Sequence, residues 1–150
     1  MIYRILKNIY TKKLHRFCID LGNYKNTKLI AGIGRSGTTW LEEIVNYNNT
    51  YRIMFEPFRV DKVDIISNWN YHQYIRNKNK EERYLKPTKI ILSGKIRNEW
   101  IDHHNRKVFA NKRIIKDIRA NLFLNWIKNY FPEIPIVYII DIHVQWRIQK

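Results

Sequence analysis

A glycine-rich turn between an apolar run and an amphipathic run is the feature that most constrains the fold. Lys28 to Ile33 is a short apolar run typical of a buried parallel strand, and Thr38 to Tyr47 places apolar side chains at helical spacing. Glycine allows close backbone approach in the turn between them, and a helix that begins there presents unpaired N–H groups and the positive end of its dipole. The stretch therefore predicts a strand, an anion-binding loop and a helix.

The position of the cation in this loop distinguishes between classes of anion. Gly32 to Thr39 has the G-x-x-x-x-G-K-S/T spacing of a nucleoside-triphosphate loop, but Thr38 occupies the lysine position and the cation is Arg35. An arginine followed by Ser-Gly-Thr-Thr-Trp resembles the 5′-phosphosulfate loop of the sulfotransferases that use 3′-phosphoadenosine 5′-phosphosulfate (PAPS). The alternative is an ordinary glycine-rich turn between a strand and a helix.

Length and charge limit the possible partners without selecting one. A chain of 150 residues is long enough for one domain and short for a two-substrate transferase. The net charge of +15 suits a nucleotide, a sulfated sugar, a nucleic acid or a membrane surface. The abundance of Ile, Asn, Lys and Tyr also fits a biased nucleotide composition, so part of the charge need not serve binding.

Cysteine usage and hydropathy predict a cytoplasmic protein. The single cysteine, Cys18, excludes an internal disulfide, fits a reducing compartment and is typical of a small buried apolar residue. No apolar run has the length of a membrane span, and the N-terminus lacks the uninterrupted apolar region of a signal peptide.

The chain divides into two parts. Residues 1–26 form a basic amphipathic N-terminal segment, which could lie on an anionic membrane or pack on the domain, and residues 27–150 form an α/β domain. Strand and helix patterns alternate in the second part, which predicts a three-layer arrangement with a parallel sheet and right-handed crossovers. The further predicted elements are a strand at Tyr51 to Phe55, short helices and loops over Val60 to Leu85, a helix within Ile90 to His104 and a strand at Lys112 to Ile118. A helix is predicted at Asn121 to Phe131, with Leu122, Trp126, Ile127 and Tyr130 inward. The last predicted element is a strand at Ile134 to Ile140 that is buried on both faces.

Two further blocks extend the resemblance to sulfotransferases. Phe55-Glu56-Pro57-Phe58 is similar to the segment that follows the loop helix in carbohydrate-type and prokaryotic members, and Arg113 to Asn121, with Trp126 and Phe131-Pro132 after it, is similar to their third strand and following helix. The resemblance covers about Leu29 to Ile140. It implies a P-loop-like three-layer α/β domain with a parallel sheet flanked by helices, incomplete at its C-terminus.

The resemblance also implies roles for individual residues. Arg35 would bind the phosphosulfate, Glu56 would be the general base and Lys116 would assist at the sulfonate. Glu56 as a salt-bridged or capping carboxylate and Lys116 as an ordinary strand-end lysine are the alternatives. No metal is required, because the transferred group carries less negative charge than a phosphoryl group. The loop residues implied to bind the donor are Arg35, Ser36, Gly37, Thr38, Thr39 and Trp40, with Trp40 either near the adenine or in the core.

The chain departs from the family pattern at several positions. Phenol and steroid sulfotransferases carry K-T-H on the third strand, where this chain has Lys116, Asp117 and Ile118, and alternation along a strand turns Asp117 to the opposite face from Lys116. Asp141 stands where the family has the arginine that binds the donor's 3′-phosphate.

The adjacent His103 and His104 lack a metal-ligand partner at suitable spacing and are predicted to be exposed.

These features predict a sulfotransferase that moves a sulfuryl group from PAPS to a hydroxyl or amine of a carbohydrate or other small acceptor. A truncated or frameshifted homologue, inactive as a fragment, fits the departures. The alternative function is a basic module that binds a nucleotide, nucleic acid or a membrane surface without catalysis. Nucleic acid is the less favoured partner, because no helix-turn-helix, zinc-knuckle or RNP pattern is present.

Overall fold

A four-stranded parallel sheet is the centre of the protein. The computed structural model describes residues 18–140, and its main sheet has the order β3-β5-β2-β6. A second sheet pairs β1 with β4. The strands are β1 Ile19–Asp20, β2 Thr27–Gly32, β3 Arg52–Phe55, β4 Phe109–Ala110, β5 Arg113–Asp117 and β6 Ile136–Ile139. The α-helices are α1 Thr38–Val45, α2 Glu82–Leu92 and α3 Leu124–Tyr130, and the 3₁₀ helices are Tyr24–Asn26, Asp64–Ile66 and Ala120–Phe123.

The apolar run of β2 lies in the interior of the main sheet, with a strand on each side and packed side chains on both faces. Leu29 pairs in register with Ile115 of β5 and Ile136 of β6, and it has no exposed surface. Continuous apolar runs are typical of parallel strands that are covered on both faces. The predicted strand, turn and helix at the start of the domain are therefore confirmed.

Helices cover both faces of the main sheet. On one face Leu41 and Val45 of α1 pack on a small cluster of Ile30, Ile53 and Ile114. The opposite face carries the larger core, to which α2 and α3 contribute side chains that include Tyr84, Ile91, Leu92, Trp126 and Ile127. This arrangement confirms the α/β class and the parallel sheet with flanking helices. In residues 18–140 no helix has both the length and the apolar character needed to cross a bilayer.

The predicted helix within Ile90 to His104 is wrong. The helix there is α2, which begins at Glu82 and ends at Leu92. Gly94 follows with a φ of 67°, and its N–H donates to the Ile91 carbonyl at 2.9 Å. A glycine in the left-handed region is a common helix terminator. Ile96 and Trp100 therefore reach the core from turns.

Two other predictions at the end of the domain need correction. The predicted helix at Asn121 to Phe131 is divided into a 3₁₀ helix and α3, and Leu122, predicted inward, is 49% exposed. The tighter 3₁₀ turn changes the angle between successive side chains, so a single helical period fails across it. The last strand was predicted to be buried on both faces, but β6 is an edge strand of the described sheet, with Val137 49% and Tyr138 43% exposed.

A buried ion network lies where β3 and β5 begin. Arg52 and Arg113 have no exposed surface, and both contact the Asp20 carboxylate. Arg52 also donates to both oxygens of Asp102, at 2.9 and 3.1 Å.

Cys18 is buried, as predicted. Residues 1–17 of the predicted amphipathic segment, and Asp141, lie outside the described residues.

Replacement of Arg113 by methionine should lower the free energy of unfolding by about 3–5 kcal/mol, the usual cost of removing one partner from a buried ion pair. The variant removes the two donors to Asp20 and leaves the carbonyls of Asn23 and Leu92 without the Arg113 Nη1 donor. Urea denaturation measures the change. Lys25→Met is the control, because it breaks an exposed pair with Glu133 at 3.0 Å and should change stability little. Equal effects of the two variants would contradict a structural role for the network.

Candidate functional site

The glycine-rich loop folds back tightly over the end of β2. A Cβ on Gly32 would lie 2.8 Å from each of Ser36 Oγ, Thr38 Cγ2 and the Ile139 carbonyl oxygen, so a side chain has no room there. Gly37 precedes α1 with a φ of 85°, and Arg35 is exposed with a φ of 67°. The left-handed conformation is costly for a residue with a side chain. The loop therefore holds Arg35 on the protein surface beside the start of a helix.

Hydrogen-bond donors remain available at this helix start. The Ser36 N–H donates to the Ile33 carbonyl at 3.1 Å, and the first bond of α1 runs from the Leu41 N–H to the Gly37 carbonyl at 3.0 Å. The N–H groups of residues 38–40 precede that bond and have no acceptor within the helix. Ser36 Oγ is buried and has no hydrogen-bond partner within residues 18–140. Such a loop can accept an anion.

The other predicted loop residues differ in exposure. Thr38 is 4% exposed and Thr39 is half-buried, whereas Trp40 is 67% exposed on the surface of α1. The alternative that Trp40 belongs to the core is therefore wrong. Its indole is available to stack on a planar ligand.

The segment after β5 lies alongside the loop. A Cβ on Gly34 would be 3.7 Å from Ile118 Cδ1, and Asn121 Nδ2 donates to the Gly32 carbonyl at 2.9 Å. Asn121 Oδ1 is buried without a hydrogen-bond partner in the described part of the chain. Adjacent parallel strands end at the same edge of a sheet, which is where open α/β folds bind ligands.

Glu56 lies at that same edge, held between two cations. Its backbone N–H donates to the Lys116 carbonyl at 2.7 Å, and its φ is 42°. Lys116 Nζ donates to Oε1 at 3.0 Å, and Arg119 Nη1 donates to Oε2. The side chain of Glu56 is 7% exposed. The salt-bridged carboxylate that sequence reasoning left as an alternative is thus what the structure contains.

Arg119 is the residue at this edge that sequence reasoning missed. Arg119 donates from Nη1 to Glu56 and from Nη2 to the Tyr71 hydroxyl, the latter at 3.1 Å. Its Nε is buried without a partner among residues 18–140. Lys116 lies 4.4 Å from the centre of the Phe55 ring. A basic residue just beyond the predicted end of β5 was the available signal, but no motif distinguished it from the other cations of a basic chain.

Asp117 points to the opposite face from Lys116, as predicted, and serves the fold. It has no exposed surface and accepts from the backbone N–H groups of Phe58 at 2.8 Å, Arg119 at 2.7 Å and Ala120 at 3.1 Å. Desolvation by burial raises the pKa of this carboxyl group from 3.8 to about 6, against the effect of the backbone donors. Asp117 therefore ties the segment after β3 to the segment after β5.

The adjacent histidines occupy different environments. His103 is exposed, as predicted, and its Nδ1 lies 2.7 Å from the Trp100 carbonyl oxygen. The prediction is wrong for His104, which is half-buried beside Glu42. Within residues 18–140 no three His, Cys, Asp or Glu side chains are grouped so that they could hold a metal ion.

Two groups of predicted residues are therefore assembled at one edge of the sheet. The loop of β2 holds Arg35, Ser36 and the start of α1, while β3 and β5 hold Glu56 and Lys116 in direct contact. Ile118 and Asn121, which follow β5 in the chain, lie against the loop of β2. Comparison of the chain with known protein families, with curated proteins and with solved structures finds no match.

The raised pKa of Asp117 predicts a pH-dependent stability. Between pH 4 and 6 the Asp117 carboxyl group holds its proton more strongly in the folded chain than in the unfolded chain. Protonation of Asp117 therefore stabilises the fold fully below about pH 4, and this stabilisation is lost as pH rises through about 6. Urea denaturation of the wild type and Asp117→Asn should show a difference in stability that changes by about 2 kcal/mol between pH 4.5 and 7, in the direction that favours the wild type at low pH. A constant difference across this range would contradict the raised pKa.

Proposed function

We propose that this domain transfers a sulfuryl group from PAPS to a hydroxyl or amine of a carbohydrate or other small acceptor, in the cytoplasm. One observation carries the proposal: the loop after β2, with an open helix start and an exposed arginine, lies at the same edge of the sheet as the ion-paired cluster of Lys116, Glu56 and Arg119. The first group suits an anionic donor, and the second supplies charged side chains at the same edge.

The loop offers a fitting site for the 5′-phosphosulfate. The N–H groups at the start of α1 would bind the phosphate oxygens, with the Ser36 and Thr39 hydroxyls as further donors. The Arg35 guanidinium can contact two oxygens at once. Buried Ser36 Oγ has no partner within the described residues, which supports a ligand at this position. The exposed indole of Trp40 would stack on the adenine.

Sulfuryl transfer breaks the bond between sulfur and the bridging phosphate oxygen and forms a bond between sulfur and the acceptor atom. The bridging oxygen gains negative charge, which Arg35 and Lys116 would stabilise. The acceptor loses a proton, which Glu56 would receive. The products are 3′-phosphoadenosine 5′-phosphate and the sulfated acceptor.

Glu56 can act as the base only after one of its oxygens is released. Both oxygens accept from cations, and Arg119 has a second partner in the Tyr71 hydroxyl. A shift of Arg119 towards Tyr71 would free Oε2 while Lys116 continues to hold Oε1. Arg119 is therefore a positioning residue in this proposal.

Replacement of Arg35 by alanine should weaken binding of 3′-phosphoadenosine 5′-phosphate by about 10- to 100-fold, because charge-assisted hydrogen bonds contribute about 1.5–3 kcal/mol. Isothermal titration calorimetry measures the affinity at 0.1 M salt. Arg76→Ala is the matched control, because it removes the same charge from an exposed position outside the loop. Equal losses in the two variants, with a steep dependence on salt, would favour the non-catalytic basic binding module instead.

Replacement of Lys116 by methionine should lower sulfuryl transfer about 100-fold and leave donor affinity within about threefold, because Lys116 would act mainly on charge that develops in the transition state. Transfer of ³⁵S from labelled PAPS to a panel of sugars and amines measures the rate. Lys28→Met is the matched control, since this lysine also contacts an aromatic ring, that of Tyr51 at 4.6 Å. A wild-type protein that binds PAPS but labels no acceptor would contradict the catalytic part of the proposal.

A further inference from the structure

A cavity lies on the α1 side of the sheet, between the C-terminal half of this helix and the loop of residues 103–106. Its volume is about 830 Å³, and Ile53 of β3 forms part of its wall. Two carboxylates, Glu42 and Glu43, line it together with Arg106. The cavity therefore has more carboxylates than arginines, in a chain whose net charge is +15.

Glu42 is the unusual residue of this cavity. It is 3% exposed, yet its Oε2 has no hydrogen-bond partner within residues 18–140. Its Oε1 lies 3.5 Å from His104 Nδ1, which is longer than a normal N–H···O hydrogen bond. A buried carboxylate is costly unless a cation or several donors face it.

The other polar side chains of the cavity leave Glu42 as the main recognition group. Asn46 is bonded through both ends of its amide to the backbone of Tyr51, and Asn105 is bonded likewise to Lys107. These amides hold loops in place. The half-exposed His104 ring can turn aside to admit a donor to the carboxylate, and the exposed Tyr47 ring at the rim can face a cation.

From these observations we propose that the cavity binds a small organic cation with a primary ammonium group, which donates to the Glu42 carboxylate. An ammonium carries three N–H donors on a compact charge, enough to reach Oε2 and a neighbouring acceptor. Glu43 supplies a second negative charge at the mouth. This site is separate from the glycine-rich loop and does not depend on sulfuryl transfer.

The test uses 1,4-diaminobutane as the probe and the full chain at pH 7.5. Calorimetry should detect binding to the wild type, and Glu42→Gln should weaken it at least tenfold. Glu99→Gln is the matched control, because it removes the same charge from an exposed position outside this cavity and should leave the affinity unchanged. Tetramethylammonium, which has no N–H donors, should bind at least tenfold more weakly than the diamine.

Chemical-shift mapping on the wild type provides a measurement that needs no variant. The diamine should shift the backbone amide resonances of His104 and Ile53 and leave those of Arg35 and Ser36 unchanged. Absence of binding, equal weakening by both glutamate variants, or shifts confined to exposed carboxylates elsewhere would each overturn the proposal.

Discussion

The pairing of two buried arginines with two buried aspartates is the interaction on which the rest of the structure depends. Arg52 begins β3 and Arg113 begins β5, and their guanidinium groups meet at Asp20, which precedes β2. Arg52 further binds the carbonyls of Gly94 and Ile96, and Arg113 binds those of Asn23 and Leu92. Lysine could not replace either residue, because only the planar guanidinium supplies so many donors in fixed directions. Because hydrogen bonds are directional, this network fixes how the strands and loops are oriented relative to one another. A hydrophobic cluster would only bring them together, since hydrophobic contacts have no preferred direction.

Polar burial at the two ends of the sheet has different consequences. At the start of the strands the guanidinium groups of Arg52 and Arg113 are paired with carboxylates and carbonyl oxygens. At the opposite end Ser36 Oγ, Arg119 Nε and Asn121 Oδ1 are buried without partners among residues 18–140. Unsatisfied buried groups cost free energy and are few in native proteins. A fold that is held firmly at one end can tolerate such unsatisfied groups at the other.

The sequence predicted those parts of the fold that rest on local patterns. The runs around β2 and α1 and the strand at β5 were found because apolar periodicity and glycine spacing report burial and turns directly. The end of α2 had a local signal in Gly94, which the helical spacing of the apolar residues after it outweighed. The exposure of β6 and the network around Asp20 depend on which segments become neighbours, and no local pattern encodes this. The same holds at the candidate site. The resemblance predicted Glu56 and Lys116, whereas the role of Arg119 follows from its contact with Glu56, which only the folded structure shows.

Backbone strain at this edge of the sheet falls on two residues with charged side chains. Arg35 and Glu56 both have positive φ, at 67° and 42°, although glycine would adopt such angles without strain. A glycine at either position would relax the loop but would delete the guanidinium or the carboxylate. Strained residues of this kind tend to occur at functional sites, because the surrounding structure must hold them in place. Here the contact of Glu56 with Lys116 and Arg119 does so on one side, and the close approach of Gly32 to Ser36 does so on the other. The strained Arg35 and Glu56 and the partnerless Ser36 Oγ, Arg119 Nε and Asn121 Oδ1 thus lie at one edge of the sheet, the edge at which the proposed function places its donor.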